Sequence, residues 1–202
     1  MQEKPHHIEQ ELLAACCNGE EKALYELYHI CYSDLYAVCK RYLNDQDEIG
    51  LLLNSGFLKI VNGLNGYKKH IPFEAWIKRI MINTVIDHHR KQKKYRETIT
   101  YPELIVEPNH RGRIDFNAAD QLFDAEQLMH LIGQLPPMTA RVFNLYAIDG
   151  YRHKEIAGLL DITDGTSKWH LSTARKKLQA MITELMNSKK NESKIKYKLK
   201  KA

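Results

Sequence analysis

Apolar residues recur at helical spacing along most of the chain, and strand-like alternation never persists. Residues 9–17 predict a short helix that ends near Asn18 and Gly19. Over 20–43, Leu24, Leu27, Tyr28, Cys31, Leu35, Val38, Cys39 and Tyr42 form one apolar stripe. The polar break Asn44, Asp45, Gln46 follows, and 47–64 repeats the pattern with Ile49, Leu52, Leu53, Gly56, Phe57, Ile60, Val61 and Leu64. A loop from Asn65 to Ile71 ends in Pro72, well placed to start the next helix. That helix, 73–94, is apolar nearly all round in its middle, which predicts the buried centre of its domain. Residues 96–117 hold Pro102, Pro108 and Gly112 without periodicity and read as a linker. Helical spacing returns over 119–133, 138–148, 153–160 and 165–186, with Pro136, Pro137, Asp149 and Gly150 as breaks. The expected architecture is all-α: two small helical domains, 1–95 and 118–186, joined by a flexible linker at 96–117.

Charge sharpens this division. Across the 202 residues the net charge is +5, yet 68–96 carries nine Lys and Arg against two acids, and 152–177 six against three. The stretches 1–67 and 97–151 are each acidic by five charges. Two basic blocks separated by acidic ones predict two polyanion contacts, because local fields rather than net charge attract phosphates. Residues 187–202 hold seven lysines and one glutamate with few apolar residues, and predict a disordered basic tail.

No segment approaches the apolar length of a membrane span, and the first residues have no secretory pattern, so the expectation is a cytoplasmic chain with no membrane insertion. Cys16, Cys17, Cys31 and Cys39 lie in helix-patterned sequence, as packed thiols of a reducing compartment would. No HExxH, nucleophile elbow or phosphate-binding glycine loop occurs, so no enzyme is expected. The adjacent His88 and His89 point about 100° apart on a helix and cannot easily share a metal, so neither metal nor cofactor is expected.

The sharpest local signal runs from Tyr151 to Leu171. A short helix with Ile156, Ala157 and Leu160 facing inward is followed by a tight turn, where Thr163 or Asp164 can cap a second helix. This is the pattern of a helix-turn-helix, whose second helix reads DNA in the major groove. On that helix Ser167, Leu171, Ala174 and Leu178 should face the core, and Lys168, Trp169, Ser172, Thr173 and Lys176 should face outward.

Phe73, Glu74, Ala75, Trp76, Ile77, Lys78, Arg79 and Ile80, with Asn83, Asp87 and Arg90, resemble the promoter-melting helix of bacterial extracytoplasmic-function sigma factors. Leu135 and Pro136, Gly150 and Tyr151, and the run Asp164 to Lys168 resemble that family's helix-turn-helix domain. The resemblance implies a transcription initiation factor with two parts, sigma regions 2 and 4. The first would bind the clamp of the largest polymerase subunit and melt the −10 element. The second would read the −35 element, with the flap of the second-largest subunit as a further partner. By position, the loop Asn65 to Ile71 would hold a flipped base, with Tyr67 stacking on it and Lys68, Lys69 and His70 near phosphates. Lys78, Arg79, Asn83, His89 and Arg90 would line the duplex, and Asp87 would fix a neighbouring Arg or His. Thr166, Lys168, Trp169, His170, Ser172, Thr173, Arg175 and Lys176 would meet the −35 element. Glu48, Leu51, Asn54, Ser55 and Lys59 would face the polymerase. Leu51, Asn54 and Ser55 stand where the family usually has acids and a glutamine, although Gly56 to Ile60 match. This departure supports one alternative, a sigma-like adaptor recruited by another DNA-binding factor; a stand-alone helix-turn-helix regulator is a further alternative, which leaves the first domain unexplained. An anti-sigma factor is a further partner that the resemblance allows.

Overall fold

The computed structural model describes residue 8 and residues 10–97 and 125–199, with side chains as far as 92 and between 126 and 186. Among the described residues every regular element is helical. The elements group into two compact units, 1–102 and 103–202. Most of the expected linker lies outside the described residues; only 96 and 97 fall within them, as the last turn of a helix.

The first unit contains α1 (Gln10–Cys17), α2 (Glu21–Tyr42), α3 (Gln46–Gly63) and α4 (Phe73–Glu97). Asp45 starts α3 by accepting the N–H groups of Asp47 and Glu48 at 2.8 and 3.1 Å. The stripe on α2 buries Leu27, Cys31, Leu35, Val38 and Cys39 against the middle of α4, where Ile77, Met81, Ile82, Val85 and Ile86 are also buried. Gly56 lets α3 approach α4, since a β-carbon there would overlap Met81 Sδ. Burial pushes the Cys31 and Cys39 thiols up to about 12, which keeps them protonated and unreactive.

The second unit contains α5 (Ala125–Gly133), α6 (Pro137–Phe143), α7 (His153–Leu160) and α8 (Asp164–Leu199). The helix expected over 138–148 changes character half-way: α6 gives way to a π-helical turn, Asn144–Ile148. The N–H groups of Asp149 and Tyr151 return to the carbonyls of Asn144 and Leu145 and close that turn. Pro137 opens α6 at its first position. The expected disordered tail is corrected as far as Leu199, because α8 continues through it. The lysines of 187–199 are compatible with helix, since straight-chain residues lose little rotamer freedom there.

The turn between α7 and α8 depends on Asp161, which adopts a left-handed conformation with φ 55°. Ile162 N–H then bonds the Ala157 carbonyl at 3.1 Å, and Thr163 Oγ1 accepts the Thr166 N–H at 3.0 Å. A β-carbon is disfavoured in that conformation. Asp161→Gly is therefore expected to stabilise the second unit by up to about 1 kcal/mol. Chemical denaturation monitored by circular dichroism measures the gain; a fall in midpoint would show that the carboxylate contributes more than the strain costs.

Candidate nucleic-acid and polymerase interfaces

In the first unit the loop before α4 closes on itself. A short 3₁₀ turn, Leu64–Gly66, leads into Tyr67, whose hydroxyl donates to the Ile71 carbonyl at 2.6 Å. The ring of Tyr67 rests against Phe73 and Trp76, with centroids 5.3 and 5.0 Å away. Tyr67 is thus half-buried and props the loop from inside, rather than standing ready to stack on a base. Lys68, Lys69 and His70 are exposed on the loop's outer side, and Lys69 Nζ donates to Gln10 Oε1 at 2.8 Å.

The residues expected along the duplex side of α4 divide into two groups. Arg79, Asn83, Asp87 and Arg90 recur at helical spacing on its outer face. Arg90 Nη1 lies 3.8 Å from Asp87 Oδ1, an exposed pair one turn apart. Asn83 is half-buried, and its Oδ1 is covered without a hydrogen-bond partner among the described residues. Lys78 turns instead toward α2, where its ammonium meets Asp34 at 2.9 Å, with Glu74 one turn back on α4 at 4.0 Å. His89, about three turns further on that side, is half-buried with Nε2 covered.

The expected polymerase face of α3 divides in the same way. Glu48 Oε1 meets His88 Nε2 at 2.6 Å and accepts from Gln92 Nε2 at 2.7 Å, which ties α3 to the far part of α4. Lys59 Nζ donates to Thr84 Oγ1 at 3.1 Å, and that hydroxyl donates to the Ile80 carbonyl at 2.9 Å. Both side chains therefore hold the α3–α4 seam. What remains outward is Asn54, the half-buried Ser55, and two leucines two turns apart: Leu51 at 72% exposure and Leu58 at 61%. Sequence reasoning placed Leu51 here and missed Leu58, although its seven-residue offset puts it on the same face. Exposed Tyr25 and Tyr32 on α2 were also missed, because they sit beside a stripe of core residues.

In the second unit Ser167, Leu171, Ala174 and Leu178 are all buried, so α8 has the rotation that its pattern predicts. Trp169, Ser172, Thr173 and Lys176 then share the face opposite the core. Lys168 is exposed and held by Asp164 Oδ2 at 2.6 Å. The hydrogen bond from Lys168 keeps the Asp164 carboxyl below its ordinary range. Thr166 is half-buried with Oγ1 at 2.8 Å from Thr163 Oγ1. The expected outward face is corrected in its exposure: Trp169, Ser172, Thr173 and Lys176 are all half-buried, and the indole Nε1 is covered with no hydrogen-bond partner among the described residues. Its ring meets His170 edge-on with centroids 4.7 Å apart. His170 turns into the unit, with Nδ1 at 3.1 Å from the buried Thr139 hydroxyl, and burial lowers its pKa. Arg175 lies over the Tyr146 ring at 6.0 Å from the centroid, with Nε covered.

Each of the two helical units thus carries a basic, polar surface, and each matches a known sequence family. The family profile described as sigma-70 region 2 matches residues 27–95, and that described as sigma-70, region 4, matches 125–178. Together they take in more than half of the chain, each within one structural unit. The chain belongs to the sigma-70 family. Curated relatives agree on the branch. The extracytoplasmic-function RNA polymerase sigma factor SigM of Bacillus subtilis is 24% identical over 166 residues, covering 80% of this chain and 96% of its own. SigW of the same organism, also an extracytoplasmic-function sigma factor, is 24% identical over 177 residues, covering 83% and 92%. A solved structure of the sigma factor RpoE with the anti-sigma factor NepR from Bartonella quintana matches at 16% identity and a TM-score of 0.48, over 80% of this chain and 98% of that one. This protein is an RNA polymerase sigma factor of the extracytoplasmic-function type. Among the described residues of the sigma factor, no helix is long and apolar enough to cross a membrane. No group of three or more potential metal ligands occurs among them either.

Proposed function

We propose that the first unit of this sigma factor binds the core polymerase clamp through α3 and engages the −10 element through its loop and α4, while α8 reads the −35 element. The observation that carries this reading is the rotation of α8. With Ser167, Leu171, Ala174 and Leu178 buried, the opposite face presents Trp169, Ser172, Thr173 and Lys176 at the end of a helix-turn-helix that reaches base edges. In the first unit, Lys68, Lys69 and His70 would approach phosphates, and Arg79, Asn83 and Arg90 would follow the duplex. Lys78, His89, Glu48, Lys59 and Tyr67 act one step back, holding the surfaces that touch DNA and polymerase. The sigma factor works with the chromosome in the cytoplasm, and no bond-making step is assigned to it.

Reconstitution tests the reading. Core polymerase with the purified chain should form competitor-resistant complexes on a promoter that core polymerase alone does not recognise. Failure to form them would overturn it. The outer face of α3 gives a second measurement. Leu51 and Ser55 stand where charge-assisted pairing with a basic partner is otherwise available. Leu51→Asp with Ser55→Glu should therefore tighten core binding, measured by competition with the unaltered chain. Weaker binding would show that this face, with Leu51 exposed, makes an apolar contact.

A further inference from the structure

One column of side chains in the second unit joins α7 and the π-helical turn to α8. His153 is the first residue of α7, and its Nδ1 lies 2.9 Å from Ser167 Oγ in the first turn of α8. Ser167 has 0% exposure, a hydroxyl fully enclosed in an otherwise apolar seam. The other side of the imidazole stacks on Tyr146 from the π-helical turn, with centroids 4.5 Å apart and planes at 21°. Tyr146 in turn meets Arg175, which returns the column to α8 about two turns after Ser167.

We propose that His153 is a positioning residue that sets the angle of α8 against α7, and through it the −35 sequence preference of this sigma factor. The proposal rests on the reading that α8 meets DNA. Apolar packing tolerates small rotations of one helix on another, whereas a buried hydrogen bond is directional and costly to leave unmade. The His153–Ser167 bond is a directional contact between the two helices at the end of α8 that would enter the groove. A small tilt there moves Trp169, Ser172 and Thr173 away from base edges, yet leaves phosphate contacts in reach.

The charged groups facing the imidazole are Asp164 and Lys168 on the first turn of α8 and Arg175 further along it. Burial first, then Lys168 and Arg175, hold its pKa below the ordinary histidine value, while Asp164 works the other way. A lowered histidine favours the neutral ring in the fold. Its contribution is therefore complete above the ordinary value and is lost as pH falls through the lowered one. Acidification adds a cation beside Lys168 and Arg175, and the column loosens.

The test uses the full chain assembled with core polymerase. The probes are the −35 duplex that the unaltered holoenzyme selects from random DNA and a scrambled duplex at the same salt. His153→Phe and Ser167→Ala, each shown to be folded at the assay temperature, should lower the selected-to-scrambled ratio about tenfold, mainly by weakening the selected complex. The double variant His153→Phe with Ser167→Ala leaves no orphaned polar partner and should regain thermal stability without regaining the ratio. As pH falls below the ordinary histidine value and on through the lowered one, the unaltered protein should lose discrimination. That loss should shrink in His153→Phe, where His170 still titrates. An unchanged ratio in the folded single variants, or a ratio that returns together with stability in the double variant, would overturn the positioning role. An unaltered holoenzyme that selects no −35 sequence would instead overturn the reading of α8 itself, and this proposal with it.

Discussion

Replacing Trp169 by alanine lowers the stability of the second unit by about 2–3 kcal/mol, and phenylalanine recovers most of that loss. The indole is half-buried and set edge-on against His170, so truncation removes packed surface next to the buried Thr139–His170 contact. No hydrogen bond to Nε1 is lost among the described residues, so a ring without that nitrogen should serve nearly as well. The chain has two tryptophans, and the other, Trp76, belongs to the first unit. Fluorescence of Trp169→Ala therefore reports the first unit alone and should keep its midpoint, while circular dichroism follows the earlier unfolding of the second. On DNA, the same variant at a temperature where it is folded should lose about 1–3 kcal/mol on its selected −35 duplex and less on unrelated DNA. Equal losses on both would assign the ring to packing.

Lys68→Ala with Lys69→Ala lowers the salt dependence of promoter binding. Each phosphate contact removed should reduce the slope of log affinity against log salt by about 0.7 on single-stranded and about 0.9 on double-stranded DNA, so the double variant should lose roughly 1.5. Both lysines are exposed on a loop that Tyr67 braces from within, so the substitutions leave its fold intact. Lys69 also reaches Gln10 at 2.8 Å, and Lys69→Ala alone should show whether that contact competes with phosphate. Titration of complexes across salt concentrations measures the slope; an unchanged value would mean that the loop stays clear of the backbone.

Much of the architecture is legible in local periodicity. The stripe from Leu24 to Tyr42, the apolar middle of 73–94 and the four inward residues of α8 each repeat at helical spacing, and a repeat of that kind specifies both a helix and its buried face. The turn at Asp161 to Thr163 is legible too, because capping chemistry acts over three or four residues. The change to a π-helical turn at Asn144 was not, since its apolar residues still satisfy a helical pattern while the hydrogen bonds shift by one residue. Nor was the continuation of α8 through the lysines: a charged segment without an apolar face reads as solvated, and straight-chain residues suit helix as well as coil.

The candidate surfaces divide along the same line. Sequence alone determined that Lys68, Lys69, Arg79, Arg90 and Lys168 would be cationic and near the surface, and that Trp169, Ser172 and Thr173 would sit opposite Leu171 and Leu178. These properties follow from side-chain chemistry and from rotation about a single helix. Only the tertiary structure decided which polar groups are already engaged. Glu48 meets His88 across 40 residues, Lys59 meets Thr84 across 25, Thr139 meets His170 across 31 and His153 meets Ser167 across 14. Such pairs leave no trace in a local period, because each residue alone looks like any polar position on a helix. They form because close-packed helices bring polar atoms out of water together, where each must find a partner or bear the cost of desolvation.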